Sequence, residues 1–298
     1  MVYHYTTIET FYNMLAAYKS SEDKNHLEFW ASSIFDQNDK EELSITAKEI
    51  MPVVQEIEHS IKKKGFTDFH KLSTVDEQWW IPTLTGQLIK ENVSDFFQYN
   101  YNIPYTVSFS QHEDKLLMWS MYANNGNGIC LAFDENKLVD HNVYKFVIPD
   151  IVLYKKEPQN LKKIIKKFYD MYIKELENEI IINIIYNLKR KYWESMLMGI
   201  SPFIKNEAFK DEAEYRIVYY QESHNNPQVY TRMTNRLNVI HYIKAKIPLE
   251  ALHHIIIGPC ANFAHAKILL VENLKTCNIV NDYDGDFIRI SNVPYRMY

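Results

Sequence analysis

Residues 104–133 limit the fold more than any other stretch, because the periodicity changes twice within a short span. Residues 104–110 are β-rich and alternate, which predicts a strand. Ser110-x-x-Glu113 has the spacing of a capping box and predicts a helix running to Ala123. Asn124-Asn125-Gly126-Asn127-Gly128 is turn chemistry, and the apolar run 129–133 that follows predicts a buried strand. Strands and helices interleaved in this way predict an α+β protein with a mixed or antiparallel sheet.

The same reading extends along the chain. Tyr3-His4-Tyr5 predicts a first strand, and Thr6-Thr7-Ile8-Glu9 has capping-box spacing for a helix to about Tyr18. Strands are predicted at 27–33, 144–154, 214–220, 239–247, 254–258, 278–281 and 287–290. Helices are predicted at 41–64, where Pro52 kinks or divides the run, at 76–99 and at 262–275. Over 159–198 apolar residues recur every three or four positions, marking one long helix or two shorter ones. The expected organisation is a single domain over 1–298 with helical insertions at about 41–99 and 159–198. The lysine pairs 162–163 and 166–167 read as a solvated helix face.

Composition removes several classes. Hydrophobic residues are 46% and charged residues 24% of the chain, which excludes disordered and low-complexity proteins. A net charge of −5 argues against a general phosphate-backbone binder. Seven glycines are few, and none forms a Gly-rich phosphate loop, so a bound nucleotide needs another architecture. Cys130, Cys260 and Cys277 lie far apart, without metal-type spacing or the density of a disulfide scaffold. With no basic leader before an apolar run and no long uncharged apolar stretch, the expectation is a cytoplasmic protein, not inserted in a membrane.

Four polar clusters bear on function. Asp282-x-Asp284-Gly285-Asp286 lacks the glycine and glutamate positions of a calcium loop and reads as a hairpin turn. His253-His254 lacks zinc-protease spacing, so no metal is expected. Asp36, Asn38, Asp39, Glu41 and Glu42 offer the oxygens a magnesium-dependent nuclease needs, although such residues also build ordinary loops and helix starts. In Glu212-Ala213-Glu214-Tyr215-Arg216 strand periodicity places Glu212, Glu214 and Arg216 on one face. That face is either an exposed ion-paired strand or a carboxylate site for glycosyl transfer, where an anion stabilises an oxocarbenium-like transition state.

Several motifs taken together resemble an uncharacterised bacterial and phage family known as a domain of unknown function. They are Tyr3-His4-Tyr5-Thr6-Thr7, Phe35-Asp36-Gln37-Asn38-Asp39, Ser108-Phe109-Ser110, Trp119-Ser120-Met121-Tyr122-Ala123 with 128–133, and Lys205 with Glu212-x-Glu214-x-Arg216. The pattern departs at Gln37 and Lys40, where the family more often has Asn-Asp-Pro with a following acid, and in the long helical insertion. The layout is in turn similar to the ADP-ribosyltransferase superfamily, whose split sheet it implies. That likeness implies NAD contact by His4, Tyr5, Thr6, Ser108, Ser110, Tyr122 and Arg216. Glu214 takes the catalytic place with Glu212 as accessory acid, Tyr5 and Tyr122 flank nicotinamide, and Arg216 orients Glu214 or binds phosphate. The structural alternative makes Thr6 and Ser110 helix caps and packs Trp119 and Tyr122 in the core.

The expected function is a cytoplasmic NAD-dependent ADP-ribosyltransferase-like effector of a phage-defence or toxin system. NAD is its substrate and a protein or nucleic acid its acceptor. A metal-dependent nuclease or phosphohydrolase and a non-enzymatic sensor or partner-binding module are the alternatives.

Overall fold

In the computed structural model, which describes residues 1–37, 42–61, 67–74, 103–143, 147–154, 158–176, 182–220, 228–233, 239–279 and 286–295, the sheet is built around one strand that has three neighbours. β3 (Tyr105–Ser110) pairs along its whole length with β8 (Glu214–Tyr219). Its other edge is shared between β1 (Val2–Thr6), which meets it at Tyr3 and Ser110, and β2 (His26–Ser33), which meets it at Ser32–Thr106 and Ser33–Tyr105. The sheet therefore forks. Between those contacts, Val107, Ser108 and Phe109 have no strand partner on that edge among the described residues.

Each branch of the fork is extended by further pairs. β1 continues through β4 (Ile129–Phe133) and β11 (Leu252–Ile257) to β12 (Ile288–Ile290), while β2 continues through β10 (Val239–Pro248) to β9 (Tyr230–Met233). β5 (Val147–Ile151) lies outside β8 and completes ten strands among the described residues. Among the described strands of this sheet only β11 and β12 run parallel, so the sheet is mixed and largely antiparallel, as predicted. β6 (Leu153–Tyr154) and β7 (Ile204–Lys205) form a separate parallel pair.

Strand alternation gives the sheet two different faces. On one, Val2, Phe29, Val107, Leu131, Ile217 and Ile255 meet Phe11 and Leu15 of α1 (Ile8–Ser20) and Leu270 and Leu274 of α6 (Phe263–Thr276) in the main core. On the other, Tyr3, Tyr5, Cys130 and Ile256 pack under Met118 and Trp119 of α3 (Leu116–Tyr122). A third cluster belongs to the helices α2 (Glu42–Ser60), α4 (Pro158–Leu176) and α5 (Ile182–Ile200), where Ile50, Val54, Ile165, Tyr169, Trp193 and Met196 interlock at helical spacing. The 159–198 periodicity thus resolves into two helices, and α2 runs through Pro52 unbroken. The predicted helix at 76–99 lies outside the described residues.

Three boundaries differ from expectation, each through a competing hydrogen bond. Thr7, not Thr6, caps α1, accepting from the Thr10 amide at 3.0 Å. α3 starts only at Leu116, because the Tyr5 hydroxyl takes the Lys115 amide and donates to the carbonyls of His112 and Glu113, holding 111–115 as a turn. Ser110 accepts from the His112 amide instead of capping a helix. After α6 the predicted strand at 278–281 begins as a turn: Asn278 adopts φ 56° and the Ile279 amide returns to the Leu274 carbonyl, a left-handed helix cap.

The glycine turn before β4 is required by packing. A Cβ on Gly128 would collide with the Thr6 carbonyl oxygen and the Ala123 backbone. Since neither neighbour is the end of a flexible side chain, Gly128→Ala is expected to cost about 2–3 kcal/mol, measured as a lower urea midpoint at unchanged slope.

Candidate functional site

Lys205 is brought to the sheet by the end of the helical layer. α5 stops at Ile200, a 3-10 turn covers Ser201–Phe203, and β7 delivers Lys205, 1% exposed, beneath β8. Its Nζ donates to Glu212 Oε2 at 2.6 Å and to Glu214 Oε2 at 3.1 Å, bridging the two carboxylates. Arg216 takes Glu214 from the other side, Nε to Oε1 at 2.7 Å and Nη2 to Oε2 at 3.1 Å, and its Nη1 donates to the Pro202 carbonyl at 2.8 Å. Tyr122 donates to Glu212 Oε1 at 2.6 Å.

Glu212 does not belong to the strand that periodicity gave it. It ends a 3-10 turn over Glu207–Glu212, and Ala213 then adopts φ 42°, ψ 56° before β8 opens at Glu214. A left-handed non-glycine residue is uncommon, and here it follows a Glu212 whose carbonyl is anchored by the Ser110 hydroxyl at 2.7 Å. The two carboxylates meet through Lys205 despite this break. Nor is the group an exposed ion-paired face: Glu212, Glu214 and Arg216 are 4%, 5% and 0% exposed.

Burial alone would raise the Glu214 carboxyl, but the Arg216 and Lys205 charges, with hydrogen bonds from Arg216 and Ser108, hold it at about 2. The side chain is an anion throughout the physiological range. Its folded value lies below the ordinary 4.5, so it contributes stability that is fully present above pH 4.5 and is lost as pH falls towards 2. A contribution of about 3 kcal/mol follows. Urea titrations from pH 7 to 2 are expected to show that slope, with the wild type minus Glu214→Gln difference carrying it.

His4 and Glu214 border the same pocket, a cavity of about 490 Å³ in the fork. Tyr3, Tyr5, Thr6, Ser108, Ser110, Tyr122 and Glu212 line it too. Alternation puts His4 on the main-core face, against Phe29 and Phe109, whereas Ser108 and Glu214 take the opposite face. His4 reaches the cavity because the strands part there. Its Nδ1 lies 3.0 Å from the Ser108 carbonyl, supplying a hydrogen bond on the edge that lacks a neighbouring strand. That acceptor assigns the proton to Nδ1, and burial lowers the ring's pKa, so the imidazole is neutral with Nε2 able to accept.

Of the predicted site residues, Arg216 alone does not line the pocket. Its guanidinium is fully buried against Glu214 and the Pro202 carbonyl, so it orients the carboxylate and is not placed to receive a phosphate. Trp119 belongs to the core, its indole N–H donating to Asp114 at 2.6 Å. Asp36 and Gln37 line the pocket, with Asp36 accepting from the His241 amide at 2.7 Å and Gln37 donating to Thr106 at 2.9 Å. Asn38, Asp39 and Glu41 lie outside the described residues, as do 282, 284 and 285. Among the described residues no group of three or more His, Cys, Asp or Glu side chains is placed to hold a metal, and no helix is long and apolar enough to cross a membrane.

Sequence reasoning gave no role to Lys205, Tyr154, Trp30 or Arg232. The Lys205 signal was its place in the motif set. Tyr154, whose hydroxyl accepts the Glu214 amide at 2.7 Å, carries no local signal, because only the fold brings it there.

The fold and site define an α+β protein with a buried quartet of two carboxylates and two cations at a forked sheet. Residues 118–217 match the model of a family described as a protein of unknown function (DUF2971). The match runs from α3 into β8 and takes in Tyr122, Lys205, Glu212 and Glu214. No curated protein and no solved structure matches the chain.

Proposed function

We propose that this protein is a cytoplasmic NAD-dependent ADP-ribosyltransferase-like enzyme that breaks the nicotinamide–ribose bond in the pocket of the fork. The observation that carries this reading is the meeting of His4, Ser108 and Glu214 around one cavity, from three strands distant in sequence. The volume of about 490 Å³ is of the size that holds small-molecule ligands.

The chemistry follows from the charges. When the glycosidic bond breaks, nicotinamide leaves with the bonding electron pair and positive charge develops at the ribose C1′. A carboxylate fixed beforehand by Arg216 and Lys205 stabilises that charge without reorganising. The acceptor's nucleophile then bonds to C1′ through its lone pair and gives up its proton, for which Glu212 in the same pocket is the acceptor group. The aromatic rings of Tyr5 and Tyr122 offer surfaces to the nicotinamide.

The likeness to ADP-ribosyltransferases rests on the motifs and on this geometry. A role as an effector in phage defence or a toxin system is part of the same proposal, with a protein or nucleic acid as acceptor. Incubation with adenine-labelled NAD and cell extract is expected to transfer label to macromolecules equally with and without a chelator. Metal-dependent cleavage of nucleic acid without NAD consumption would favour the nuclease reading instead.

A further inference from the structure

Trp30 is the most conspicuous aromatic side chain that the chemistry above leaves unused. It sits on β2, where Leu27, Phe29 and Ala31 enter the main core while Glu28, Trp30 and Ser32 take the opposite face, the one that carries Ser108 and Glu214. It is 51% exposed yet firmly held. Its indole stacks on Tyr242 of β10, ring centroids 4.6 Å apart and planes at 26°, and Tyr242 stacks on Tyr230 of β9 at 5.5 Å and 25°. Tyr242 is itself buried, so the stack is anchored in the sheet.

The stack lies on the β10 side of Trp30, and in strand order the opposite side looks towards β3 and the fork. Trp30 lines the pocket there, in the same cavity as Glu214. Arg232, on β9, also lines the cavity. It is exposed and makes no ion pair or side-chain hydrogen bond among the described residues. The cavity thus holds a pre-stacked indole on β2 and, two strands further along the sheet on β9, a guanidinium. That combination suits a planar base carrying phosphate, because the ring is already ordered and the cation makes no ion pair among the described residues.

We infer that Trp30 is the stacking platform for the adenine ring and that Arg232 binds the adjoining diphosphate, so this side of the pocket takes the ADP half of the dinucleotide. The assignment rests on the transferase reading for the identity of the ligand. It makes Trp30 and Arg232 binding residues that belong to none of the motifs that suggested NAD.

Calorimetric titration of the full chain with ADP and with adenosine tests it, since neither ligand contains the bond to be broken. Wild type is expected to bind both. Trp30→Ala is expected to weaken both by about 5- to 100-fold, with Trp30→Phe recovering most of the loss. Arg232→Gln is expected to weaken ADP by about tenfold while leaving adenosine within about twofold. Thermal unfolding of each variant shows that it remains folded. Unchanged ADP affinity in Trp30→Ala overturns the platform, and so does a wild type that binds no ADP at millimolar concentration. A wild type that binds ADP through Trp30 but releases no nicotinamide from NAD sustains the platform and removes the transferase chemistry.

Discussion

Glu214→Gln is expected to lower single-turnover transfer from NAD by about 10²–10³ while leaving NAD affinity almost unchanged. The carboxylate acts on charge that exists only in the transition state, so its removal shows in the rate far more than in binding. Gln keeps the volume but not the charge. Arg216 then loses the charge it chelates and Lys205 keeps one anion, Glu212, where the wild type gives it two, so a loss of stability accompanies the loss of rate. The two effects separate when turnover is measured well below the variant's own melting point, with near-ultraviolet dichroism showing native packing. Full activity in a folded Glu214→Gln variant would take Glu214 out of the mechanism.

Arg216→Met should give the largest loss of stability at the site. Its guanidinium is fully buried, chelates Glu214 through two nitrogens and ties β8 to the turn at Pro202. Removing it leaves one buried carboxylate with Lys205 as its remaining counter-charge at the site, which Glu212 also needs, and breaking a buried pair from one side costs about 3–5 kcal/mol. For a chain of this size the melting temperature falls by about 10 °C. The Glu214 carboxyl also loses the charge that most strongly holds it down, so its acid transition moves to higher pH. A neutral effect on both quantities would mean that Glu214 is oriented by something else.

Much of the fold was legible in the sequence because its elements bury one face each. The alternation in 27–33 and the apolar run 129–133 gave their strands to within a residue or two, and the helical spacing of Leu161, Ile165, Tyr172 and Leu188 marked the inserted helical element whose buried side belongs to the third core. Boundaries failed where a side chain from elsewhere took over a backbone group. The Tyr5 hydroxyl delays α3 by supplying the Lys115 amide's partner, and nothing local to 110–116 announces that. Glu212 was placed in the right cluster through an incorrect element, since Ala213 turns the chain before β8 begins.

The site was legible only in part. His4, Ser108 and Glu214 were named from motifs, yet their convergence depends on β1 and β2 sharing one edge of β3, which is a property of topology. Lys205 and Tyr154 meet Glu214 from a helix end and a short strand, and Trp30 and Arg232 reach the cavity from β2 and β9. No spacing rule connects those positions.

The most direct test uses NAD labelled separately in its nicotinamide ring and in its adenine, incubated with purified protein and cell extract. The account predicts that the nicotinamide label is released as the free base while the adenine label moves to macromolecules, and that Glu214→Gln suppresses both. Both labels recovered as intact NAD, with folded wild-type protein present, would contradict it.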